Sequence, residues 1–291
     1  MSTDARAGVI HDIGYQRYTG PRLGRAYAVR SLYVHGLRSA FGLGRSAKAK
    51  IFPWLVIGIL FFIAVVSVVI RTLSPAHQLS PSYVDFSRAG GLLTGLFLCS
   101  AAPELLSRDL RSKVLPLYFS RPVTRADYAL AKLTSVVTAA FLILAGPMLF
   151  MFICSAFSLD HASDAWSETG HFLEGLSIAA ICAILYGTIA TFLSSLFGRR
   201  VVAAAVIVGY FLVTIAIAGV VGGITQGNGP AFHYTLVINP AFMLEGVKQW
   251  VVGETTNFDA RTYGWWYLTS AIVLVGIGIG ALLLRYRKVE A

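Results

Sequence analysis

The side chains best suited to covalent or metal chemistry are few here, and their spacing argues against both. The six histidines are His11, His35, His77, His161, His171 and His233, and no two of them form the H-E-x-x-H pair of a zinc hydrolase. None falls inside an apolar stretch, where a membrane-embedded hydrolase would need a base beside its nucleophile. Cys99, Cys154 and Cys182 lie far apart within apolar runs, without metal-ligand spacing, and read as small hydrophobes. The phosphate-wrapping G-x-x-x-x-G-K-[ST] loop is absent, and Gly42-Leu43-Gly44-Arg45-Ser46 reads as a short turn. Neither an enzymatic site nor a cofactor of its own is expected on this chain.

The segment 104–132 is different. Charged residues alternate with apolar ones along it, and Pro116 and Pro122 divide it. Proline suits a first helical turn and not an interior, so two or three short helices are expected there rather than one rod. A plain connector has no use for Leu115, Leu117, Tyr118, Phe119 and Val123 in succession. Those side chains must bury against a membrane surface or a partner protein.

The elements that hold this segment follow from composition. The 291 residues are 56% hydrophobic and 13% charged, with mean hydropathy +0.69. A soluble domain carries about 25% charge. Six apolar stretches, 51–70, 89–106, 130–157, 176–197, 201–221 and 267–284, are each long enough to cross about 30 Å of hydrocarbon as a helix. The second is the weakest, with Pro103 and Glu104 near its end; Glu104 is expected to snorkel or pair with Arg108 one turn on. A bend is expected at Pro147. Only Gly198, Arg199 and Arg200 part the fourth stretch from the fifth, which makes an antiparallel hairpin.

With these spans, 20 of the 24 basic residues fall on one side, and the other receives Arg71, Arg88, Lys248 and Arg261. The formal net charge of +10 is thus a positive-inside bias that places both termini in the cytoplasm, and nucleic acid is not an expected partner. The first fifty residues carry no secretory signal peptide. The expected fold is an all-α integral membrane protein of six transmembrane helices, with a cytoplasmic segment at 1–50 and a membrane domain at 51–291. At 21–41 an amphipathic helix puts Leu23, Ala26, Tyr27, Val34, Leu37 and Phe41 on one face, with Arg30 intruding; it suits the cytoplasmic membrane surface or, more plainly, an anchor. The outer region 222–266 is rich in Gly, Asn and aromatics, and 242–252, entered through Asn239-Pro240, reads as a short helix dipping into the outer leaflet. Trp250, Trp265, Trp266 and Tyr267 fit an interfacial belt, and the region reads as either gate or anchor.

The segment at 104–132 resembles the signature region of type-2 ABC exporter permeases. That family follows its second span with an acidic and basic cluster, an apolar turn and Arg-Pro-x-x-Arg. Here these are Asp109, Arg111, Leu115, Leu117 and Tyr118, then Arg121-Pro122-Val123-Thr124-Arg125, then Tyr128 and Lys132. The opening run 12–25 is similar to N-termini of a bacterial subgroup, and six spans with a long outer loop before the last agree. The resemblance covers nearly the whole chain through loosely defined motifs. It implies a half-transporter in a bacterial cytoplasmic membrane, in which this chain and a second permease copy or homologue bind two cytoplasmic ABC ATPase subunits. ATP and Mg would sit on those partners. It implies further that 104–132 is a coupling loop, with Asp109, Arg111, Leu115, Tyr118, Arg121 and Arg125 on the docking surface, and that the N-terminal helix braces the ATPase side.

An ion-coupled secondary transporter is the rival reading, although such proteins hold ionisable groups near mid-membrane and only Glu104 lies within a stretch as drawn. A permease-like sensor is another. The spans are mostly Ala, Val, Leu, Ile, Phe and Gly, so the expected cargo is an amphiphile such as a lipid, an apolar antibiotic or a drug.

Overall fold

The computed structural model describes residues 20, 23–73, 82–120, 122–157, 162–226, 229–252 and 260–288. Arg121 and most of the motif at 12–25 lie outside them. Ten helices and no strand occur among the described residues. They are α1 (Arg25–Ala40), α2 (Ala47–Leu73), α3 (Tyr83–Arg111), α4 (Leu115–Phe119), α5 (Arg125–Ala156), α6 (Ala162–Leu196), α7 (Arg200–Thr225), α8 (Pro230–Leu236), α9 (Pro240–Val252) and α10 (Ala260–Arg287). Six of these, α2, α3, α5, α6, α7 and α10, are long and apolar enough to cross a membrane. The chain is a multi-pass α-helical membrane protein.

The helices outrun the apolar stretches that announce them. At 1.5 Å per residue, helices of 26–35 residues are about 40–50 Å long, against about 30 Å of hydrocarbon. Part of the excess is polar and paired. Helix α6 begins fourteen residues before its apolar stretch at 176, and Glu168 in that extension binds Arg71 at the end of α2. Two starts are fixed locally by capping boxes. At α3, Ser82 Oγ accepts from the Asp85 N–H at 3.1 Å while the Asp85 carboxylate accepts from the Ser82 N–H. At α5, Thr124 and Asp127 exchange the same two bonds. Helix α5 runs unbroken through Pro147, and α3 through Pro103.

Helices α3, α5 and α6 form the centre, where α3 and α5 both pack along α6. In the apolar windows of α3 and α6, 61% of residues are buried, against 28% in α2, 22% in α7 and 17% in α10. Those outer helices display Phe62, Leu212 and Ile277 to their surroundings, as lipid or a second subunit allows and water does not. Small residues set the closest approaches. A Cβ on Gly187 of α6 would come within 2.9 Å of the Val137 side chain on α5.

Helix α1 lies across α5 and α3. It buries Leu32, Gly36 and Ala40, none of which belongs to the expected apolar face. Leu37 and Phe41 of that face do pack inward, Phe41 beside Phe97, whereas Leu23, Tyr27 and Val34 remain exposed. The reason is close packing: at Gly36 the helix meets Ser135, whose Oγ donates to the Tyr33 carbonyl. At the opposite end of the bundle, α8 packs on α7 and α9 on α10. Buried Asn239 joins them, its amide donating to Thr214 Oγ1 at 2.8 Å and its Oδ1 accepting from the Ala241 N–H.

Candidate functional site

Among its described residues, the segment 104–132 folds as the end of α3, one short helix and the start of α5, so α4 is the only separate helix described there. After Arg111 the chain turns through Lys113 in the left-handed region, at φ 50°, a conformation costing about 1–2 kcal/mol for a side-chain-bearing residue. Pro116 then occupies the first turn of α4, where its missing N–H is no loss. Eight residues after Pro116 the capping box at Thr124 starts α5.

Charge fastens this turn to the bundle at two points. Glu104, 8% exposed, receives Arg45 at 2.7 Å, Arg108 at 3.1 Å and Arg200 at 2.7 Å. One carboxylate thereby ties the approach to α2, the end of α3 and the start of α7. Seven residues from the start of α5, Lys132 is 2% exposed and binds Asp109 at 2.7 Å and the Leu105 carbonyl at 3.1 Å. Tyr128 also donates to Asp109, at 2.8 Å. A third pair lies further out, where Arg25 of α1 donates twice to Asp127, at 2.8 and 2.7 Å. Hydrogen bonding and charge from Asp127 raise the Arg25 guanidinium above its ordinary pKa.

Aromatic packing completes the fastening. The ring of Tyr128 meets Tyr118 at 5.5 Å, Phe119 at 6.2 Å and Tyr286 at 5.2 Å between centroids. It therefore joins α4, α5 and α10 in one cluster, and the Lys132 ammonium lies 5.5 Å from the same ring. Arg125 sits over Phe119 and donates to the Arg287 carbonyl at 2.7 Å, which closes the start of α5 onto the end of α10.

The candidates from the sequence separate accordingly. Asp109, Leu115, Tyr118 and Arg125 come together and contribute to the internal framework of the turn. Arg111 is exposed at the end of α3. The most prominent apolar side chain of the turn is Leu117, 68% exposed. Sequence reasoning named Leu117 and Lys132 within the motif without assigning them a role, and it found no hint of Arg45, Arg200, Arg25 or Tyr286. The pairs formed by these four span 59 to 158 residues of chain; the local signals there are the Glu104–Arg108 spacing and the Thr-x-x-Asp capping signature at 124–127.

The opposite end carries its own ionic cluster. Arg71 donates to both Glu168 oxygens, at 2.7 and 2.6 Å, and to Ser155 Oγ, while the Tyr83 hydroxyl also bonds Glu168. Lys248 of α9 reaches Asp85 at 3.3 Å. Between the two ends, an apolar cavity of about 400 Å³ opens among α3, α6, α7 and α9, with Leu96, Phe211, Leu212 and Phe242 in its wall. Among the described residues, no group of three or more His, Cys, Asp or Glu is placed to hold a metal ion. No known family model matches the chain, and no curated protein matches it significantly.

Proposed function

We propose that this chain is the membrane-spanning subunit of an ATP-driven exporter in a bacterial cytoplasmic membrane. It works with a second permease copy or homologue and with two cytoplasmic ATPase subunits. The observation that carries the reading is α4: a five-residue helix at the basic end of the bundle that presents Leu117 outward while Leu115 is buried and Tyr118 and Phe119 pack on Tyr128 of α5, which in turn meets Tyr286 of α10. A partner pressing on Leu117 and Arg111 would act through Tyr128 on α5 and α10, and through the Asp109–Lys132 pair on α3. That is how a nucleotide-driven movement is passed to spans. The cavity of about 400 Å³ falls in the size range of small-molecule sites, and its apolar wall suits an amphiphilic cargo such as a lipid, antibiotic or drug.

The test is purification of the tagged full chain from its native host, with co-purifying proteins identified by mass spectrometry. A roughly equimolar ATPase bearing a phosphate-binding loop is expected. It should be lost from Leu117→Glu, whose exposed position leaves the fold intact. Recovery of the chain alone under detergents that preserve such complexes would shift the reading to a secondary transporter or a sensor.

A further inference from the structure

A groove of about 800 Å³ lies between α1 and the turn joining α3 to α4. Its lining is unevenly charged. Arg30, Arg38, Arg45, Arg108 and Lys132 face two carboxylates, Glu104 and Asp109. Both carboxylates are already engaged, Glu104 by Arg45, Arg108 and Arg200, and Asp109 by Lys132. Arg30 and Arg38 are therefore left with no carboxylate among the described residues. They are exposed, and stand about 12 Å apart, two turns along α1. Ser31 and Tyr27 line the groove with them.

An apolar surface adjoins this cationic one. Leu23, Tyr27 and Val34 project from α1 at 59%, 56% and 40% exposure, and Tyr27 and Val34 belong to the groove wall. The level is also defined: the groove includes Arg45, two residues before α2 begins, and Arg108, near the end of α3. These are the ends of membrane-crossing helices, where lipid headgroups meet water. A small soluble anion would use the arginines and leave the apolar stripe bare.

We propose that this groove binds the headgroup of an anionic phospholipid, its phosphate between Arg30 and Arg38 and its acyl chains along Leu23, Tyr27 and Val34. The site shares with the ATPase reading only the requirement that the basic end of the bundle face the anionic inner leaflet; lipid binding in detergent tests it without the ATPase. Bound lipid would hold α1 against the α3–α4 turn and make the stiffness of that turn depend on the surrounding membrane.

The experiment uses the full chain in neutral detergent, titrated with short-chain phosphatidylglycerol, matched phosphatidylcholine and inorganic phosphate, with bound lipid counted by native mass spectrometry. Phosphatidylglycerol should bind roughly tenfold more tightly than phosphatidylcholine. Arg30→Gln with Arg38→Gln should bring the two lipids to parity, while Arg30→Lys with Arg38→Lys keeps most of the preference. Lys48→Gln with Lys50→Gln removes equal charge from exposed positions outside the groove lining and should leave the preference intact. No preference in the native chain would overturn the proposal, and so would equal loss in the lysine pair, which would mean diffuse surface charge. Displacement of the lipid by inorganic phosphate at matching concentrations would reduce the groove to a free-anion site. If the arginine pair loses ATPase recovery but keeps lipid binding, the groove is a protein contact and the lipid reading fails.

Discussion

Lys132 is the residue on which the basic end of the bundle most depends. Its ammonium is almost wholly shielded and is answered by Asp109, the Leu105 carbonyl and the Tyr128 ring. Removing one partner of such a pair leaves a stranded charge, at about 3–5 kcal/mol, whereas removing both costs far less. Lys132→Met should therefore lower the thermal midpoint of the purified protein sharply, and Lys132→Met with Asp109→Asn should recover more than half of the loss. Additive losses would mean that the two side chains do not act as a pair. The sequence showed that charges crowd this segment but not which face they turn. Asp109 reads as a surface residue because its neighbours Arg108 and Arg111 are charged; it turns inward because α5 brings Lys132 and Tyr128 to it. Glu104 and Arg108 were readable as a pair one helical turn apart, while Arg45 and Arg200 reach the same carboxylate only once α2 and α7 are in place.

Among the elements, α1 is the one whose placement the fold decides. Its helical stretch was legible because it depends on neighbours three or four residues apart. Which side is buried depends instead on where α5 presents a small hydroxyl to Gly36. A Cβ at Gly36 would lie 2.5 Å from Ser135 Oγ and 2.9 Å from its Cβ, so α1 must move to accept it. Gly36→Ala should destabilise by about 1–3 kcal/mol, the usual range for overpacking. Gly58, in the middle of α2, has open space around its Cβ position, and Gly58→Ala should be neutral or stabilising by up to about 1 kcal/mol. Equal effects at the two glycines, measured by thermal unfolding in one detergent, would show that the approach of α1 to α5 is loose. Of the two short helices at the far end, α9 was legible for a related reason, whereas α8 was not expected. The Asn239-Pro240 entry to α9 is a local signal, and the buried Asn239 amide fulfils it.

For the whole molecule, the asymmetry of charge makes a claim about direction that the fold sharpens. Six crossings return the chain to the end where it started, and Arg25–Asp127 and Arg125–Arg287 bring α1, the start of α5 and the end of α10 together there. Three further arginines gather on Glu104 at that end. If it is cytoplasmic, α4 meets soluble partners and the α1 groove meets the anionic inner leaflet; if it is not, both readings fail together. Single cysteines in a cysteine-free background can decide this with a thiol reagent that does not cross membranes. Trp166, 83% exposed on the polar extension of α6, marks the far end. Ser112 at the end of α3 and Lys288 beyond α10 mark the basic end. In intact cells Trp166→Cys should label while Ser112→Cys and Lys288→Cys stay protected until the membrane is opened. The reverse pattern would place α4 outside, beyond the reach of ATP, and the exposed Leu117 would then have to face an extracellular partner instead.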